Sequence, residues 1–433
     1  MSPTFASLGV RNYRIWYLGA TISNIGTWAG RVGQDWLVLT ELTDHSGAAL
    51  GIVTGLQFLP VLLLAPFAGA LVDRLPKRRL LVATQVGLLV SSLVLAALVL
   101  SGAAELWHAY TVALIQGAFT AVDNPARQAF VAEVVPAEHL PNAVGLNSAS
   151  FNLGRLIGPG LAGLVIAASG TGQALLLNSL SFVFVLVSLA LLRRSELRPT
   201  PRLKGRGGIR EGFAYVRGRP DLQLILFLVF MLGTFGMNFS VTTALMATEV
   251  FGMGAGEFGL LGSVMAIGSL AAALMTARRA QPRLWILLVA LAGFAVATTL
   301  AAMAPSYATF AIALVPVGFS ALTALTTGNT LVQTRTDPIM RGRVMALYMA
   351  IFMGGTPIGA PLIGWLGEVA GARWTLLIGG IAVALSLVVA WRALTKEDDY
   401  QVRFQTTARP HVLIERTPRD GDADVEIIPE LVK

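Results

Sequence analysis

Asn24, Trp28, Arg31 and Asp35 recur at spacings of four, three and four, which puts them on one stripe of a helix. Gln34 and Trp36 lie beside that stripe. An arginine and an aspartate at i, i+4 can pair, and Arg31 and Asp35 stand at that spacing within an otherwise apolar stretch, Tyr13–Thr40. Arg155 is a second isolated charge in such a stretch. A charge near the centre of a membrane-spanning helix costs at least ~2.5 kcal/mol, so it faces a wet cavity or a partner. Two readings of the stripe stand together: a polar lining for a solute and a proton, or an ion pair that holds the helix in place.

Other chemistries are missing. The sequence has no G-x-x-x-x-G-K-[ST], H-E-x-x-H, G-x-S-x-G or potassium-filter pattern, which argues against direct use of ATP, a membrane hydrolase and a potassium pore. There is no cysteine, and the four histidines show no metal-ligand spacing, so no metal and no cofactor is expected. An enzyme is not expected either.

The elements that must carry these residues follow from composition. Of 433 residues, 55% are hydrophobic and 13% charged, about half the usual charged share of a globular protein. Forty-five glycines suit closely packed membrane helices. About 20 mainly apolar residues are needed to cross a bilayer. Twelve segments qualify: 13–40, 50–72, 80–100, 108–122, 143–168, 173–192, 222–247, 258–277, 284–304, 307–333, 344–369 and 374–394. The fold class expected is therefore all-α and integral to the membrane.

Basic residues collect in alternate loops, as they do on the cytoplasmic side. Arg74, Lys77, Arg78, Arg79, Arg127, nine residues from Arg193 to Arg219, Arg278, Arg279, Arg283, Arg335, Arg341 and Arg343 fall on one side, and Arg373 alone on the other. That places both termini in the cytoplasm. The net charge of +8 then belongs with anionic lipid headgroups at the inner loops rather than with nucleic acid. The excess of arginine over lysine hints at a GC-rich bacterial genome.

Composition breaks at 193–220, a basic stretch rich in Pro and Gly. Ile209, Phe213 and Val216 there predict a short amphipathic helix on the inner leaflet. Four regions result: a six-helix bundle over 1–192, the linker 193–220, a second bundle over 221–394, and a polar tail 395–433 expected to be mobile. The halves repeat. A shift of 201 lays Gly117 on Gly318, Leu146 on Leu347, Gly154 on Gly355, Gly158 on Gly359 and Gly163 on Gly364. Two such halves with a site between them is a transporter plan.

Local motifs sharpen this. The loop after the second span reads Gly69-Ala-Leu-Val-Asp73-Arg74-Leu-Pro76-Lys77-Arg78-Arg79. It resembles the G-x-x-x-D-R-x-G-x-[RK]-[RK] motif of the major facilitator superfamily, with Pro76 in place of a glycine. In that family's arrangement Asp73 faces the N-terminus of the eleventh span, where helix N–H groups attract a carboxylate. Gly69, Asp73, Arg74, Lys77 and Arg78 thus form a gating latch, while Arg78 and Arg79 also suit headgroup anchoring. Gly154-Arg155-Leu-Ile-Gly158-Pro159-Gly-Leu-Ala-Gly163 resembles the superfamily's antiporter motif. Its small residues four apart make a helix-packing seam, and Pro159 permits a bend. The fourth-span motif is incomplete, with Gln116-Gly117 present and Ala113 where an arginine is usual. Asp123-Asn-Pro-Ala-Arg127-Gln128, Gln34-Asp35-Trp36-Leu37 and Leu140-Pro-Asn-Ala143 are similar to the enterobactin-exporter-like and macrolide-efflux-like branch, the transmembrane secretion effectors.

The resemblance, over about residues 5–394, implies two pseudo-symmetric six-helix bundles in a bacterial inner membrane. The first span lines the central cavity, and Arg155 has Asp35 or Asp123 as its expected partner. Asp35, Arg31, Arg155 and Asp123 are the proton-coupling candidates: a carboxylate whose arginine is near in one state and distant in the other changes proton affinity as the protein moves. Asn24, Trp28, Gln34, Asn238, Thr242, Thr326 and Asn329 are the substrate-cavity candidates. The expected function is proton-coupled export of an amphipathic small molecule, siderophore-like or drug-like, by alternating access. The alternatives are an uptake facilitator, a lysolipid transporter, or a non-transporting receptor or scaffold.

Overall fold

A computed structural model describes residues 3–198, 209–277, 283–396, 400–404 and 412–416. Fifteen α-helices are formed among them: α1 (Arg11–Trp36), α2 (Gly47–Arg74), α3 (Lys77–Leu100), α4 (Leu106–Val134), α5 (Leu140–Ser169), α6 (Thr171–Leu191), α7 (Ile209–Arg217), α8 (Pro220–Met231), α9 (Phe239–Leu245), α10 (Ala255–Ala277), α11 (Leu284–Ala302), α12 (Tyr307–Arg335), α13 (Arg341–Gly354), α14 (Thr356–Ala370) and α15 (Ala372–Lys396). In hydrocarbon every backbone N–H and C=O must find its partner within the chain, and helices do this segment by segment.

Ten segments are long and apolar enough to cross a membrane, with α8 and α9 joined as Pro220–Val250 and α13 and α14 as Arg341–Ala370. The remaining two long helices, α1 and α4, match them in length. They are more polar because they carry Arg31, Asp35, Asp123 and Arg127. The twelve expected segments are therefore all helical. The ends differ from expectation: α4 runs twelve residues past Val122, to Val134, carrying Asp123 and Arg127 within it. The seventh segment is interrupted by π turns at Leu232–Gly236 and Met246–Val250, and the eleventh breaks at Gly355.

The pseudo-symmetry is visible in backbone and packing. Gly170 and Gly371, 201 residues apart, both sit at positive φ (101° and 95°) and end α5 and α14. That region is open to glycine at no steric cost. Gly154 and Gly158 press α5 onto α1, where an added Cβ would stand 2.8 Å from Asn24 and 2.6 Å from the Trp28 Cβ. Their repeats, Gly355 and Gly359, press onto Thr234 between α8 and α9. Gly163 meets Ala255 and Gly256 of α10, and its repeat Gly364 meets Gly47 of α2. Each glycine thus does the same job in each half, and the third in each set joins the halves.

The halves touch along α2–α14 and α5–α10. Gly47, Gly51 and Gly55, at the start of α2, lie tight against Gly364, Ala360 and Pro357. The close glycine contacts between the halves gather toward the end of α2 that bears Gly47, whereas residues 69–71 at its basic end are exposed.

The linker contains the helix α7. Val216 is buried in the protein and Phe213 exposed, and Glu211 pairs with Arg343 at 2.7 Å at the start of α13. In the tail, β1 (Tyr400–Phe404) and β2 (Val412–Arg416) pair antiparallel. Arg278, Arg279 and the linker stretch 199–208 lie outside the described residues.

Candidate functional site

The α1 stripe forms as its spacing requires, but its polar groups find unexpected partners. Asn24 Nδ2 donates to Ser150 Oγ on α5 at 2.9 Å. Gln34 Nε2 donates to the Ala109 carbonyl of α4 at 3.1 Å and its Oε1 accepts from Gln57 Nε2 of α2 at 3.1 Å. Both residues tie α1 to neighbours.

Arg31 and Asp35 form no ion pair among the described residues. The Arg31 guanidinium instead lies over two rings, 5.1 Å from Trp28 and 5.6 Å from Phe58 of α2. Arg155 meets neither Asp35 nor Asp123. Its guanidinium stands 5.9 Å from the same Trp28 ring, which also meets Phe151 edge-on at 5.7 Å. The reason is the glycine seam: α5 lies so close to α1 that Arg155 projects across Trp28. Asp35 is 4% exposed and accepts no hydrogen bond among the described residues.

Asp123 is engaged elsewhere. It pairs with Arg127 one turn on (2.5 Å) and accepts from Thr84 Oγ1 at 2.7 Å and Gln85 Nε2 at 2.8 Å on α3. Arg127 reaches on to Ser23 Oγ at 3.3 Å and over Trp16 at 5.8 Å. These contacts bind α1, α3 and α4 at the basic end.

The latch residues divide. Lys77 pairs with Glu133 of α4 at 3.4 Å, and Arg78 Nε donates to the Leu189 carbonyl of α6 at 2.9 Å. Both hold the first bundle together. Asp73 and Arg74 are exposed and make no hydrogen bond or ion pair among the described residues. The start of α13, where the resemblance places Asp73, is met by Glu211 of α7.

In the second half, Asn238 Nδ2 donates to the Thr234 carbonyl at 2.7 Å and leaves its buried Oδ1 without a partner among the described residues. Thr242 bonds back to Phe239, Thr326 to Leu322, and Asn329 Oδ1 accepts from Gln333 one turn on. Such bonds to a residue's own helix are the usual fate of buried Thr and Asn.

The contact that sequence reasoning missed lies at the closed end. Glu368, at the end of α14, accepts from the Ser46 hydroxyl at 2.5 Å and the Ala48 amide at 3.0 Å. It thereby caps the N-terminus of α2 across the two halves. Beside it, His45 Nδ1 of the first half stands 3.2 Å from Glu249 Oε1 of the second. The two acids border a cavity of about 510 Å³ together with Arg373 and Trp374. A signal existed in the sequence: α2 and the eleventh segment run antiparallel, so an acid at the end of each can cap the start of the other.

The transmembrane secretion effector family profile matches residues 2–428. The staphyloferrin A transporter of Staphylococcus aureus is 26% identical over 361 residues, covering 83% of this chain and 90% of that one. The multidrug efflux pump Tap of Mycolicibacterium fortuitum is 28% identical over 380 residues, with the same coverages, 83% and 90%. The enterobactin exporter EntS of Salmonella choleraesuis is 26% identical over 341 residues, covering 76% and 79%. Among solved structures, a bacterial homologue of the human lysosomal transporter Spinster, inward-facing and unoccupied, superposes with a TM-score of 0.72 at 15% identity, covering 92% and 98%. A D-xylose–proton symporter gives 0.68 at 13% identity, covering 87% and 96%.

Proposed function

Because this chain belongs to the transmembrane secretion effector family of major facilitator transporters, we propose that it exports an amphipathic small molecule in exchange for protons, by alternating access. Transport as such is common to its relatives. The observation that carries alternating access is where the close glycine contacts between the bundles lie. Glycines 47, 51 and 55 meet α14 toward one end, while residues 69–71 at the basic end of α2 are exposed. In this reading the pathway between the bundles opens toward the basic end. With the basic loops in the cytoplasm, this is the inward-facing state of a bacterial inner-membrane protein with both termini inside.

In the proposed cycle Glu368 holds the outer end shut while Asp73 is free. Opening outward breaks the Glu368 cap on α2, and the inner ends close as Asp73 reaches the start of α13. Two carboxylates at opposite ends of one antiparallel helix pair thus alternate as caps. The small residues of α5 and α14 supply flat surfaces on which the bundles rock. Asp35, buried without a hydrogen-bonding partner one turn from Arg31, is the proposed proton carrier. Export is favoured by the naming of two relatives, an exporter and an efflux pump.

The test is flux in proteoliposomes with the purified chain and an imposed pH gradient. Outward-directed substrate movement that requires the gradient supports the reading. Equal movement with and without it, or none with any siderophore-like, drug-like or lysolipid compound, overturns it.

A further inference from the structure

We infer that the ligand recognised between α1 and α5 is a planar organic anion, held by Arg31 and Arg155 across Trp28. The inference rests on the transport reading above and names the chemistry of its substrate. Two guanidiniums lie within 5.1 and 5.9 Å of one indole ring. Neither makes a hydrogen bond or an ion pair among the described residues. Neither is ion-paired with an acid among the described residues, although the Asp35 carboxylate is near enough to act on Arg31 through space. Asp123 is taken up by Arg127, Thr84 and Gln85.

Two guanidiniums beside one ring, neither hydrogen-bonded among the described residues, keep their donors free for a ligand. A fold that holds them there is preorganised for negative charge. Guanidinium suits this role better than ammonium, because its planar fork matches a carboxylate and it is less strongly hydrated. Both arginines are only partly buried, so a solute can reach them. Trp28, Phe58 and Phe151 surround the charges with flat apolar surface, which selects a ligand that carries its anion on a conjugated ring. A lipophilic cation would meet two charges of its own sign. The Gly154 and Gly158 seam joins α1 to α5 tightly. The two arginines therefore travel with one body, and the site survives the change of state.

The test compares 2-naphthoate with 2-naphthamide, which share shape and differ in charge, by calorimetry on the full-length chain in nanodiscs. The acid should bind about tenfold more tightly than the amide, and Arg31→Gln and Arg155→Gln should each remove most of that preference. Trp28→Leu should weaken both ligands. Thermal unfolding of each variant checks that it is folded. If the arginine variants do not fold, the wild-type preference and its decline with added salt decide. Equal binding of acid and amide, binding of neither, or a preference untouched by both arginine changes overturns the inference. Parallel flux assays separate the two claims. Gradient-driven export of other compounds without acid preference overturns the anion site and leaves transport standing. Acid-selective binding without flux of any compound supports the anion site and overturns transport.

Discussion

The Glu368 carboxylate accepts a hydrogen bond of 2.5 Å from the Ser46 hydroxyl, joining the last turn of α14 to the residue that caps α2. The far end of α2 carries Asp73, which has no such partner among the described residues. One helix is thus capped from the opposite bundle at its start and unlatched at its end, which is the asymmetry an alternating gate needs.

Glu368→Gln keeps the size and one acceptor but loses the charge that favours a helix N-terminus. Such terms are worth about 0.3–1 kcal/mol. The outward-open population should rise by about two- to fivefold. Because the chain has no cysteine, a single His45→Cys added to it reports this as faster thiol labelling from outside. An unchanged labelling rate would remove Glu368 from the gate.

Asp73→Asn should leave folding and membrane insertion near normal, since Asp73 is exposed and makes no hydrogen bond or ion pair among the described residues. Transport should fall, because the inner ends lose the charge that closes them on α13. Wild-type flux in this variant would rule out the latch.

Gly158→Leu drives a large side chain into the Trp28 Cβ and the Ile25 carbonyl. Overpacking of this kind costs about 1–3 kcal/mol. The unfolding temperature in detergent should drop and transport should fail. A stable, active variant would mean that the α1–α5 seam is looser than its geometry.

Asp35→Asn should abolish pH-driven transport yet leave ligand binding and downhill exchange. Arg31→Ala should alter the pH dependence of flux and not merely its rate. If instead both variants lose expression together and a charge-swapped pair recovers it, the stripe is structural. Full gradient-driven transport by Asp35→Asn would eliminate it as the proton carrier.

Much of this architecture is legible in the sequence because it rests on short-range rules. Glycines four apart announce a flat helix face, and the 201-residue repeat announces that Gly364 does for one half what Gly163 does for the other. The stripe on α1 follows from helical period alone. What is not legible is the choice among partners that lie far apart in sequence. Arg155 lies beside Trp28 and pairs with no carboxylate among the described residues, because close α1–α5 packing brings that ring to it. Asp123 is answered by Arg127, a neighbour one turn away whose i, i+4 spacing was readable but whose helix was expected to end at Val122. Lys77 and Arg78 carry the latch pattern yet serve α4 and α6, since a buried cation goes to the nearest acceptor its bundle offers.

The central claim is that the end bearing Glu368 must open for transport. His45 and Glu249 belong to opposite halves and meet there at 3.2 Å. In the cysteine-free chain, His45→Cys and Glu249→Cys can be joined by a short bifunctional thiol reagent. The account predicts that gradient-driven flux stops when the two are linked and persists when either cysteine alone is treated. A linked protein that transports at the wild-type rate would contradict it.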